Sequence, residues 1–124
     1  MTDYELSQAK RQLSEQMWKS REENGKPTPE QKRKYEKYLC ISMINSVIAY
    51  DWYEGQTAKE LLDWELNDRY HSYLEEYVEK FGYDEVLALV QDQLNDIKFV
   101  ERDVFTDGEG VSYNSIIWKN KEAK

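Results

Sequence analysis

Residues 38–49, YLCISMINSVIA, decide the fold. Nine of these twelve are apolar, so a helix through them has almost no polar face and must be buried among other elements. The stretch is the second half of a helix predicted over about residues 29–50. Thr28 suits the N-cap, Pro29 the first helical position, and Gln31 closes a capping box with Thr28. The first two turns, with Glu30, Lys32, Arg33, Lys34, Glu36 and Lys37, are polar. The apolar half becomes the expected centre of the core.

On its N-terminal side, Thr2 and Glu5 form another capping box, opening a helix over about 3–23. Leu6, Ala9, Leu13 and Met17 give that helix a single narrow apolar stripe, as expected for an outer helix. Gly25 ends it and Asn24–Pro29 turns the chain. On the C-terminal side, residues 51–56 connect to a third capping box, Thr57 with Glu60. A helix over about 58–81 would follow, roughly 36 Å long with room for a bend near Asn67-Asp68. Its expected buried face carries Leu62, Leu66, Arg69/Tyr70, Tyr73, Tyr77 and Phe81. Asp84 is then the expected cap of a helix over about 84–96, with Val86, Leu87, Val90, Leu94 and Ile97 apolar. Asp107-Gly108 between two β-prone runs predicts a hairpin over about 98–118, and 119–124 is a tail. The expected fold is α+β and mainly helical: a single domain, 1–124, with about four helices around a central apolar helix and a C-terminal β-hairpin.

Composition narrows the class. The chain has 124 residues, 40% hydrophobic and 14% aromatic, enough to bury a core and too rich for a disordered chain. No apolar run approaches the roughly 18 residues of a membrane span. The opening Met-Thr-Asp-Tyr-Glu lacks the basic start and apolar stretch of a signal peptide. With a single cysteine, Cys40, there is no internal disulfide, and a cytoplasmic setting is expected. Charge is uneven: residues 1–40 carry net +2, residues 51–109 carry net -12, and the last fifteen carry net +2.

The acidic half holds the candidate binding residues. On a wheel of the 58–81 helix, Glu65, Asp68, Glu75, Glu76 and Glu79 share one face over about 21 Å. Carboxylates at that spacing resemble phosphates along a nucleic-acid strand and suit a Lys/Arg groove on a partner. Like charges three and four apart destabilise a helix, with only Arg69 and Lys80 near enough to relieve them. Asp84 extends the acidic run. An ordinary solvated helix face would carry the same pattern. Trp52 and Tyr53, on an acidic connector, are the best aromatic pair for a contact surface.

Other chemistry is thin. Asp68, His71 and Glu75 resemble half of a ferritin-like di-metal motif and lack the rest, so no metal or cofactor is expected. His71 is the only histidine, and no nucleophile elbow or phosphate loop occurs, so no catalytic residues are expected. The basic cluster Lys32, Arg33, Lys34, Lys37 is interrupted by Glu36 and sits in a chain of pI about 4.7, which argues against direct nucleic-acid binding. The expectation is a non-enzymatic acidic binding module that blocks the basic groove of a nucleic-acid-handling protein. In size and charge the chain is similar to the antirestriction and anti-CRISPR proteins of phages and mobile elements, which would place it in a bacterial host cell. The alternative is a homo-oligomeric structural or adaptor protein, with the acidic half of one copy meeting the basic helix of another in a homodimer.

Overall fold

The computed structural model describes residues 1–67, 73–99 and 116–118. Among the described residues there are five helices: α1 Asp3–Asn24, α2 Pro29–Asp51, α3 Ala58–Asn67, α4 Glu75–Phe81 and α5 Tyr83–Asn95. None of them is long and apolar enough to cross a membrane. The chain packs as two compact units, Met1–Ser42 and Met43–Lys124, so that the boundary falls within α2.

The first unit is an antiparallel pair made by α1 and the N-terminal part of α2. Thr2 Oγ1 accepts from Glu5 N at 3.1 Å while Glu5 Oε1 accepts from Thr2 N at 2.9 Å, the reciprocal box that fixes the start of α1. Gly25, at φ 81°, ends the helix and donates to Arg21 O at 2.8 Å. Thr28 and Gln31 repeat the box at 3.0 and 3.1 Å to start α2. Lys10 Nζ reaches Ser42 Oγ at 3.4 Å, far from the turn. Met17, Trp18, Arg21 and Tyr35 line a concavity nearer to it. Leu6 and Leu13 are the buried residues of α1, half of the expected stripe, while Ala9 and Met17 are half-buried.

The second unit is built on the apolar half of α2. Ile44, Val47 and Ile48 are buried there, continuing a face begun by Cys40 and Ile41. That face is broad yet one-sided. Met43 and Ala49 are half-buried and Ser46 and Tyr50 exposed, so the helix is not enclosed all round as its composition suggests. Asn45 shares the buried face and its Oδ1 accepts from Gln93 Nε2 of α5 at 2.6 Å. Both amides are almost fully buried. Replacing Gln93 with alanine removes a donor from a buried acceptor and should lower the unfolding free energy by about 1–3 kcal/mol. Urea denaturation would read this, and the paired change Asn45→Leu with Gln93→Leu should recover part of the loss.

The expected helix over 58–81 is two helices. α3 is described over Ala58–Asn67, residues 73–74 are a bend, and α4 starts at Glu75. Phe81 closes α4, and Gly82, at φ 91° and ψ 152°, is at once its C-cap and the N-cap of α5. Asp84 therefore lies inside the first turn of α5 and does not cap it. α5 packs against both α3 and α4 and buries Val86, Val90 and Gln93. Strand β1, Ile97–Phe99, pairs antiparallel with β2, Ile116–Trp118, in the register Ile97↔Trp118 and Phe99↔Ile116. The remainder of the 98–118 hairpin expectation and the 119–124 tail lie outside the described residues.

Candidate functional site

The phase of α3 changes the reading of the acidic stripe. Ala58, Leu61, Leu62 and Glu65 are its buried residues, a spacing of three, one and three that defines one helical face. Leu61 lies about 100° from Leu62, on the side where the acidic residues fall. Burying Leu61 carries Glu65 inward with it, to 0% exposure. The expected apolar residue Leu66 is only half-buried, and Tyr73 is 54% exposed. Glu65 is thus a core side chain and not part of a contact surface. Asp68, Arg69, Tyr70 and His71 lie outside the described residues.

The other acidic candidates are exposed. Glu75, Glu76 and Glu79 stand on α4, and Asp84 begins α5. Lys80 Nζ lies 3.2 Å from Glu76 Oε1, one turn away. α4 has no side-chain cap, and Glu75 and Glu76 occupy its first turn, as Asp84 and Glu85 occupy that of α5. Carboxylates there interact favourably with the positive end of the helix dipole. This offsets part of their mutual repulsion and lets a dense acidic patch coexist with short helices.

The connector 51–57 is fixed by its own hydrogen bonds. Trp52 Nε1 donates to Gln56 O at 3.0 Å, and Gln56 N donates to Tyr53 O at 3.0 Å across a turn. Trp52 is half-buried and acts as a lock on this segment, whereas Tyr53 is 55% exposed. Tyr53 belongs to a feature that residue-by-residue reading missed. A cleft of about 650 Å³ opens between the end of α2, the connector and α3. Three aromatics, Tyr50, Tyr53 and Trp64, and three carboxylates, Asp51, Glu60 and Asp63, line it. Gln56 and Asn67 also line it, and among the described residues no cationic side chain does. The legible signal is Trp64, an aromatic off the expected buried face of the 58–81 helix.

At its edge, Asp63 joins α3 to α5. Asp63 Oδ2 accepts from Lys59 Nζ at 2.7 Å and Asp63 Oδ1 from the Tyr83 hydroxyl at 2.6 Å. Lys59 Nζ is also 3.3 Å from that hydroxyl and 5.6 Å from the ring centroid. The hydrogen bond from Lys59, then that from Tyr83, holds the Asp63 carboxyl below its ordinary 3.8. The bonds to Asp63 and then Tyr83 raise Lys59 above 10.5. The bond to Asp63, followed by partial burial, raises Tyr83 above 10.0. The lowered carboxyl contributes stability above its unfolded pKa, lost as pH falls through its folded value. The two raised groups contribute below their unfolded pKa values, and that part is lost as pH rises through the folded ones. The difference in thermal midpoint between wild type and Tyr83→Phe should therefore be level from about pH 5 to about pH 9 and shrink on both sides. A difference that stays level into strong acid would contradict the arrangement.

Comparison with family models, with curated proteins and with solved structures finds no match to this chain.

Proposed function

We propose that this chain is a non-enzymatic acidic protein-binding module, most concretely a small inhibitor that occupies the basic groove of a nucleic-acid-handling protein in a bacterial cytoplasm. One observation supports this reading: Glu75, Glu76, Glu79 and Asp84 are all exposed on two consecutive helices. From residue 75 to 97 the sequence has seven carboxylates and one cation, Lys80. A field of one sign over a small area steers a basic partner and strengthens its encounter at low salt.

The proposed surface is smaller than the sequence suggests. α4 has seven residues and its carboxylates, Glu75 to Glu79, span about 6 Å along the axis, and Glu65 takes no part. The patch would imitate a few phosphates and not an extended strand. The 98–118 segment we take as a hairpin built outward from the β1–β2 pairing. Capture from a bacterial lysate at low and at high salt tests the function. A nucleic-acid-handling protein retained at low salt and released at high salt is expected. Capture that is indifferent to salt would overturn the electrostatic mechanism.

A further inference from the structure

We propose that the cleft between the end of α2 and α3 binds the guanidinium group of an arginine side chain presented by a partner protein. This is a second site, independent of the acidic patch, since no residue of α4 or α5 lines it. The lining defines the ligand by what it offers. Asp51 and Glu60 bring negative charge, Asp63 a carboxylate already paired with Lys59, and Tyr50, Tyr53 and Trp64 offer aromatic faces. A cation is attracted to both. A guanidinium fits better than an ammonium, because it is planar, stacks on rings and presents forked donors to carboxylates.

Gln56 points to a donor independently of the charge. Its side chain is 9% exposed, and its Oε1 is buried with no hydrogen-bond partner. A buried acceptor left unmade is costly, and such exceptions call for a specific cause. Gln56 stands on the cleft wall, and an arginine seated there brings N–H donors beside a side chain whose oxygen lacks one. The size of the site favours a side chain on a polypeptide over a free small molecule. A cleft of about 650 Å³ exceeds one guanidinium, and an adjoining groove of about 360 Å³ shares Tyr50 and Asp51 with it. Met43, Val47 and Tyr73 line that groove, offering apolar room for a residue beside the arginine.

Titration of the full chain with a blocked Gly-Arg-Leu-Gly peptide, followed by amide NMR, tests this. Shifts should centre on the Trp64 indole N–H and the Gln56 side-chain amide. The matched citrulline peptide, of the same shape but uncharged, should bind about tenfold more weakly, and so should free arginine amide. Glu60→Gln keeps a residue able to cap α3 while removing one cleft charge, and should weaken binding about fivefold. Gln56→Met should leave stability unchanged or raised yet weaken binding, a combination that a purely structural glutamine would not produce. Reversal of Glu75, Glu76 and Glu79 to lysine should leave peptide binding intact, which separates this site from the acidic patch. Equal binding of the citrulline peptide, or shifts confined to α4, would overturn the proposal. Free arginine amide binding as tightly as the peptide would overturn the protein partner.

Discussion

Replacing Leu61 with alanine should lower the unfolding free energy by about 2–5 kcal/mol, the usual cost of truncating a fully buried leucine. Leu61 has 0% exposure, on the same face of α3 as Ala58 and Leu62. The loss combines the transfer energy of the missing carbons with the cavity that the surroundings fail to fill. Leu66→Ala makes the decisive comparison. Leu66 is half-buried, so the same chemical change there should cost markedly less. The helical wheel drawn from residue 62 to 81 has these two leucines the other way round. Urea denaturation of both variants, read as a shift in midpoint at constant slope, distinguishes the two phases. A larger loss at Leu66 than at Leu61 would return Glu65 to the surface and restore the longer acidic stripe.

Reversing Glu75, Glu76 and Glu79 to lysine together should leave the fold intact and reduce partner affinity about a hundredfold. The three side chains are exposed, so little packing is lost. The first-turn position of Glu75 and Glu76 means that lysines there meet the helix dipole unfavourably, a small cost at an exposed site. The partner feels much more. Three charges change sign on one short helix, a swing of six units, and like charges brought together across an interface cost several kcal/mol, with each 1.4 kcal/mol worth a factor of ten. Affinity of the captured partner for the wild-type and reversed chains, each at two salt concentrations, measures this. The reversed chain should also lose the salt dependence. Undiminished affinity after reversal would remove the acidic patch from the function.

What could be read from the sequence was local. Thr2 with Glu5, Thr28 with Gln31 and Thr57 with Glu60 each join residues three apart, and all three pairs form the expected bonds. The run of apolar residues in α2 likewise marks the core, because burial of that much apolar surface outweighs other preferences. A wheel drawn as one helix from Leu62 through Tyr73, Tyr77 and Phe81 misplaces the phase of α3, because those three residues lie beyond it. Residues 67–74 contain no proline or glycine, so the bend expected near Asn67-Asp68 carries no mark of a change of phase. The bond between Asn45 and Gln93 joins side chains 48 positions apart, which no periodicity could pair. The cleft was missed for another reason. Its residues fall within a short span, Tyr50–Asn67, but they converge only once the connector turns at Gly55.

Gly82 sets the direction in which much of the negative charge projects. Its φ of 91° and ψ of 152° fall in a region open in practice to glycine alone, and nothing else crowds the space where a β-carbon would stand. The elbow between α4 and α5 thus depends on this backbone torsion as well as on the packing of the two helices. A descendant could keep every carboxylate, and the same isoelectric point, yet aim them elsewhere by exchanging one hydrogen for a methyl group. For this protein, orientation is heritable separately from composition.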